Sequence, residues 1–252
     1  MRSVSVVIPA YNEEDNIAAT LAALPIEPLR ANGFTVEVLV GDNASTDRTG
    51  DLARRHGANV LVQPVRGYGN AYKAGFANCT GDVVVTGDAD LTYPWDIVPA
   101  AIDRLRAEEI DFITTNRLAE LDPAAMTRSH VFGNHMLSLV SRAFFRVPFQ
   151  DSQSGMWIFR RHLLHQLRLR SGGMAFSQEL KIEAHSRGFR CLEMPIRYFP
   201  RGGQSKNRTM RDGFGNLAQL MTARLRNGGT APSALVSAPP GPIAETHVTA
   251  VL

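Results

Sequence analysis

Strand-like apolar runs alternate with helix-like periodicities along the first two-thirds of the chain, which predicts an α/β fold with a mostly parallel central sheet and helices on both faces. Two further observations point the same way. The strand-like runs are short and apolar on both sides of their pleat, as strands buried from both faces are. At 252 residues and 44% hydrophobic side chains, the chain can bury a full core without disulfides or a structural metal.

Ser3 to Ile8 is a β-branched run stopped by Pro9, and Glu13 to Leu24 follows with helical spacing at Ile17, Leu21 and Leu24. Phe34 to Val40 repeats the strand pattern, after which Ser45 and Thr46 are good N-caps for a helix running toward His56. Next come a short strand at Asn59 to Val62, a Gly-rich turn at Gly67 to Gly69 opening a helix to about Cys79, and an apolar strand at Val83 to Thr86. The pattern then predicts a helix from Trp95 to about Glu108, a strand at Asp111 to Thr115 and a helix around His130 to Phe145. A helix at Ser177 to Arg187 and strand-like pieces at Phe189 to Met194 and Ile196 to Phe199 complete it. Phe214, Leu217, Leu220, Met221 and Leu225 share one side of an amphipathic stretch, expected either to dock on the domain or to lie on a membrane surface. From residue 227 on, Gly, Pro, Ala, Ser and Thr dominate, and a disordered tail is expected.

The net charge of +3 is unevenly spread. Residues 1–110 carry 9 Lys and Arg against 15 Asp and Glu, whereas residues 187–226 carry 9 against 2, a basic stretch suited to anionic partners. Cys79 and Cys191 stand far apart without metal-ligand spacing, which fits a reducing cytoplasm. No run reaches the roughly 18 apolar residues that spanning a bilayer needs, and the N-terminus opens into a strand-like run instead of a signal peptide. A cytoplasmic protein without a membrane span is therefore expected.

In such a sheet, functional residues collect in the loops at the carboxyl ends of the strands, here Pro9 to Glu13, Asp42 to Asp47, Arg66 to Asn70 and Gly87 to Thr92. Gly87-Asp88-Ala89-Asp90 follows the apolar Val83 to Thr86 run directly. Two carboxylates so placed can jointly hold a hard divalent cation and the diphosphate it bridges, although acidic surface loops are common. There is no Gly-x4-Gly-Lys-[Ser/Thr] phosphate loop, and Gly67-Tyr68-Gly69 lacks the third glycine of a dinucleotide fingerprint. That turn either lets the backbone approach a sugar or phosphate, or simply turns the chain.

Taken together, Val7 to Glu14, Gly41 to Thr49, Arg66 to Ala71 and Asp88 to Pro94 resemble family 2 glycosyltransferases of the GT-A fold, most closely the dolichol-phosphate mannose synthase-like branch. The likeness continues through Asp151-Ser152-Gln153-Ser154-Gly155, Glu179, Glu193-Met194-Pro195 and Arg201 to Lys206, and covers residues 4 to about 208. It implies a catalytic domain over 1–210, after which periodicity and composition alone place the amphipathic segment 211–226 and the tail 227–252.

The resemblance also implies roles. Pro9, Ala10, Tyr11 and Glu13 look like the nucleobase pocket, with Asp42 beside them and Gly67 and Gly69 near the donor. Asp88 and Asp90 resemble the pair that binds Mg2+ or Mn2+ on the donor diphosphate. Arg117 and Arg128 resemble arginines that meet a lipid-phosphate acceptor, and Arg201, Ser205 and Lys206 a basic loop closing on phosphates. Two positions depart from the branch: Thr92 stands where a metal-contacting Gln is usual, and Asn43 replaces an acid.

The implied reaction is an inverting, metal-dependent transfer from a UDP- or GDP-linked sugar to a polyprenyl phosphate, whose oxygen is already anionic. A hydroxyl of a small molecule, glycan or protein is the alternative acceptor. That acceptor needs a general base, for which Asp151 and Glu179 are the candidates. The partners expected are thus a nucleotide-sugar donor, a polyprenyl phosphate or other acceptor, and a membrane surface, with no nucleic acid. A non-catalytic sugar-nucleotide-binding module is disfavoured by the intact Asp88/Asp90 pair.

Overall fold

A computed structural model describes residues 1–202. The expected amphipathic segment 211–226, the expected tail, Ser205 and Lys206 lie outside the described residues.

The chain starts with β1 (Ser3–Ala10), α1 (Ile17–Ala22), α2 (Ile26–Ala31) and β2 (Thr35–Asp42). It continues through α3 (Thr49–Arg55), β3 (Asn59–Val62), α4 (Tyr68–Asn78) and β4 (Val83–Thr86). The second half supplies α5 (Val98–Ala107), β5 (Phe112–Leu121), α6 (Arg128–Phe145), β6 (Trp157–Arg160), α7 (Phe176–Ser186) and β7 (Cys191–Tyr198). The described strands form one sheet in the order β3-β2-β1-β4-β6-β5-β7, and every pairing is parallel except those of β6.

The period-2 alternation of β1 divides the core into two layers. Val4, Val6 and Ile8 face Ile17 and Leu21 of α1 together with Ile102 and Leu105 of α5. Val7 faces the opposite layer, where Tyr72 and Phe76 of α4 and Phe176 and Leu180 of α7 pack around Trp157. Tyr72 is central there, its ring centroid 5.0 Å from Trp157 and 5.7 Å from Phe176. Each such fully buried large side chain contributes on the order of 2 kcal/mol, so the sheet is held from both faces as its doubly apolar strands predict.

The close seating of α4 on β1 depends on Gly75. A Cβ there would run into the Val7 side chain, itself buried in the sheet. Gly75→Ala is expected to lower stability by about 1–3 kcal/mol despite alanine's better helix propensity, read as a fall in the thermal midpoint.

Several element expectations need correction. The first helix begins at Ile17, not Glu13, because Asn12 adopts φ 52° and Glu13 is folded into a turn whose carbonyl accepts from the Asn16 and Ile17 amides. α2 was not expected; its Pro28 is harmless in a first turn, where amides need no intrahelical acceptor. The two strand-like pieces after Arg187 are one strand, β7, running through Pro195. Pro195 is tolerated because β7 is at the sheet edge and the β5 pairing shifts register just beyond it.

β6 also escaped the periodicity, four apolar residues being too few to show a period. It lies between β4 and β5 and antiparallel to both. Its leading loop, residues 151–155, therefore reaches the same end of the sheet as the trailing loops of the parallel strands.

Candidate active site

Asp90 is almost fully buried where β4 hands over to its loop. Its Oδ1 accepts from the Thr92 hydroxyl at 2.6 Å, and its Oδ2 lies 3.2 Å from Nε of Arg201. The same guanidinium donates to Oε1 of buried Glu13 at 2.8 Å. Gly202 N donates to the Asp90 carbonyl at 3.2 Å, and Asn16 Nδ2 donates to the Gly202 carbonyl at 2.7 Å. The segment following β7 is thereby stitched across the first and fourth loops, with one arginine neutralising two acids.

Asp88 is half-buried, and Tyr68 donates its hydroxyl to Asp88 Oδ1 at 3.1 Å. Low-dielectric surroundings, and then the Asp90 charge, raise the Asp88 carboxyl well above the usual carboxylate range, against the opposing pull of Tyr68, Arg117 and Arg201. Tyr72 and Tyr93, both buried, complete a wall of phenols: Tyr72 donates to the Gly155 carbonyl at 3.1 Å, and Tyr93 accepts from Gly155 N at 2.7 Å. Sequence reasoning assigned no role to Tyr68. Its signal was the helical i, i+4 spacing with Tyr72 directly after the glycine turn.

The donor atoms at Asp88 and Asp90 fit a hard divalent ion. They are carboxylate oxygens, the Asp90 charge adds to the cost of ionising Asp88, and Asp90 is already drawn toward a cation in Arg201. Among the described residues no three His, Cys, Asp or Glu side chains cluster to hold a metal alone. An ion here would therefore rely on phosphate oxygens and water for its other ligands, as Mg2+ commonly does. Thr92 holds Asp90 from behind, which explains how threonine serves at this position.

Pro9 and Ala10 close β1 opposite Gly41 and Asp42 of β2. Asp42 Oδ1 accepts from Ser45 N at 3.0 Å, so this acid shapes its own loop. The Tyr11 ring is covered by the Arg66 guanidinium at 3.7 Å. Asn43 Oδ1 accepts from Gly67 N at 2.6 Å, tying the second loop to the third. Gly67 and Gly69 are expected near the donor, and their lack of a Cβ also has a local reason. A Cβ at either would strike the backbone of Gly172 or Ser171, so the missing side chains make room for the chain itself.

Arg117, at the irregular end of β5, forms a buried two-pronged pair with Asp151: Nε to Oδ2 at 2.7 Å and Nη2 to Oδ1 at 2.9 Å. Burial alone would raise the Asp151 carboxyl, but Arg117 and then Lys181 hold it at about 2. Arg117 N and Gln153 N also donate to it. Asp151 is thus a buried anion paired with Arg117, which argues against the general-base role expected of it.

Glu179 likewise accepts from Arg170 N at 3.0 Å and Ser171 N at 2.8 Å, so this candidate base holds the loop that packs on Gly67 and Gly69. Arg128 is exposed at the start of α6, and no described contact joins it to Arg117.

Two supports of Asp151 were not foreseen. Buried Lys181 donates to the Asp151 carbonyl at 2.6 Å, and Glu193 accepts from Gln150 N and Asp151 N at 2.9 and 3.0 Å. Both lie on regular elements whose periodicity marks them only as inward or outward. Burial lowers the Lys181 ammonium to about 8. Between about pH 8 and 10.5 the folded chain has released this proton while the unfolded chain still holds it, so stability from this group rises with pH there. Lys181→Met is expected to cost about 1–3 kcal/mol at pH 7 by orphaning the carbonyl. Denaturant titrations from pH 7 to 10.5 should also show that alkaline rise only in the parent chain.

The sheet is mostly parallel and covered on both faces, with an acidic pair behind β4, as the resemblance to glycosyltransferases of the GT-A fold implies. The chain belongs to glycosyl transferase family 2, whose family model matches residues 5–168. The low-salt glycan biosynthesis hexosyltransferase Agl6 of Haloferax volcanii is 33% identical over 241 residues, covering 94% of this chain. The chain spans only 56% of that relative's length. The dolichyl-phosphate hexose transferase of the same organism is 32% identical over 203 residues, 81% of this chain and 86% of that protein. These relatives bear out the resemblance to the polyprenyl-phosphate glycosyltransferase branch.

Among solved structures, glucosyl-3-phosphoglycerate synthase from Mycobacterium tuberculosis with Mn2+, UDP and glucosyl-3-phosphoglycerate matches with TM-score 0.70. That match covers 88% of this chain and 79% of that one at 23% identity, a likeness of fold. The same synthase with Mg2+ and UDP matches with TM-score 0.68 at 26% identity, over 88% of this chain and 79% of that one.

Proposed function

We propose that this glycosyltransferase moves a sugar from a UDP- or GDP-linked donor to a polyprenyl or dolichyl phosphate, with inversion at the anomeric carbon, at the cytoplasmic face of a membrane. The observation that carries the acceptor class is the commitment of both candidate bases to other work: Asp151 to Arg117, and Glu179 to backbone amides. An acceptor that already carries an anionic oxygen needs no base, only positioning by a cation. Arg117 is a buried, oriented cation whose charge is felt at Asp88. The name of the dolichyl-phosphate hexose transferase relative supports the same reading.

In the proposed reaction a phosphate oxygen of the acceptor attacks the anomeric carbon in line, the bond from that carbon to the donor diphosphate breaks, and nucleoside diphosphate leaves. Pro9, Ala10, Tyr11, Glu13 and Asp42 would seat the nucleoside at the ends of β1 and β2. Arg201 would turn from Asp90 and Glu13 toward the diphosphate, where Ser205 and Lys206 would join it. Asp88 and Asp90 would hold Mg2+ or Mn2+, which supplies charge stabilisation for the departing diphosphate.

A screen crossing UDP- and GDP-sugars with polyprenyl phosphate and soluble hydroxyl acceptors, read by mass spectrometry, tests the proposal. Products confined to a sugar or glycan hydroxyl would replace it with the soluble-acceptor reading.

A further inference from the structure

Helix α6 is amphipathic in the reverse sense for a domain helix. Of its 18 residues only Ser138 and Ser141 are buried. Ser138 exchanges hydrogen bonds with Ser152, and Ser141 accepts from Gln178, so the polar side docks on the domain. Four large apolar side chains point away: Phe132 is 67% exposed, Met136 43%, Leu139 49% and Phe144 46%. These are four of the seven exposed large hydrophobics among the described residues. Phe132, Met136 and Leu139 fall at i, i+4 and i+7, on one stripe.

Charge selects the occupant. From Pro123 to Gln150 there is no Asp or Glu, while Arg128, Arg142 and Arg146 sit at the two ends of the helix with no ion-pair partner among the described residues. A second copy laid along the stripe would set arginine against arginine in either direction. The chain's own segment 211–226 carries Arg211, Arg224 and Arg226 against Asp212 alone, so it too would meet like charge. An anionic lipid surface complements both the stripe and its basic ends.

We propose that the outer face of α6 is the membrane-contacting surface of this enzyme, lying in the plane of an anionic bilayer with Phe132, Met136 and Leu139 inserted and the arginines at the headgroups. This rests on the lipid-phosphate reading for its purpose, since α6 connects the β5 segment bearing Arg117 to the loop bearing Asp151. It does not depend on segment 211–226.

The test is flotation of the full chain with phosphatidylglycerol/phosphatidylcholine vesicles and with pure phosphatidylcholine vesicles, without donor or acceptor. The triple variant Phe132→Ser, Met136→Ser, Leu139→Ser is expected to lose at least about tenfold in partitioning to the anionic vesicles. The parent's binding should weaken with salt and be poor on the neutral vesicles. A second variant, Leu217→Ser, Leu220→Ser, Met221→Ser, should bind as the parent does.

Undiminished flotation of the α6 variant overturns the proposal. So does stronger flotation of the second variant, which would mean that segment 211–226 covers α6, and so does a dimer-to-monomer change confined to the α6 variant in light scattering. Transfer to detergent-solubilised polyprenyl phosphate is measured alongside. If it occurs while flotation ignores α6, only the surface is wrong; if flotation needs α6 but no such transfer occurs, only the acceptor reading is wrong.

Discussion

Replacing Asp88 and Asp90 together by alanine is expected to lower sugar transfer by about a thousandfold or more, and to abolish its dependence on added Mg2+ or Mn2+. The expectation follows from the proposed placement of the leaving diphosphate: without the two carboxylates there is no anchor for the divalent ion that would offset its charge. Stability should move the other way. Asp88 has its folded-state pKa raised by burial and by Asp90, so the folded chain holds this proton to higher pH than the unfolded chain does. The sign is then destabilising: as pH rises from the unfolded pKa through the folded one, folding loses free energy.

Asp88→Asn should accordingly raise the thermal midpoint at pH 7 while removing most of the activity, a trade typical of a site arranged for function. Donor turnover and differential scanning fluorimetry on the same preparations check both halves. Full activity in the double variant, together with indifference to chelator, would remove the metal assignment.

How much of this was legible in the sequence depends on the range of the interaction. The parallel strands and the loops behind them were readable because β-branched runs and turn residues are local signals, and the paired aspartates announced themselves by following Val83 to Thr86 directly. Arg201 reaching Glu13 across 188 positions has no local signature. The same is true of Lys181 on the Asp151 carbonyl. The residue type of Asp151 permits both base and counter-ion, and only its two-pronged pairing with Arg117, invisible in the sequence, favours the second. Gly67 and Gly69 carry a related ambiguity. A glycine marks close approach, and what approaches here is the backbone of Ser171 and Gly172.

The Arg117–Asp151 pair yields the largest expected effect on folding. Arg117→Met leaves a carboxylate with no surface exposure and without its main counter-charge, a loss of about 3–5 kcal/mol by comparison with other broken buried pairs. The Asp151 pKa should rise from its depressed value of about 2 when Arg117 is removed. In the parent, this group's stabilisation is fully present above the unfolded value near pH 4 and is lost as pH falls toward 2. The midpoint of acid unfolding should therefore move to higher pH in Arg117→Met.

The double variant Arg117→Met, Asp151→Leu separates folding from function. Removing both charges should recover a large part of the lost stability, since apolar replacements of a buried pair are often tolerated. Transfer to polyprenyl phosphate should stay depressed, because no cation is left to position the anionic acceptor. Arg117→Lys keeps the charge but cannot engage both Asp151 oxygens in the same plane, and should show the defect mainly as a raised KM for the acceptor. A double variant that regained both stability and transfer would assign the pair to folding alone and move the acceptor phosphate elsewhere.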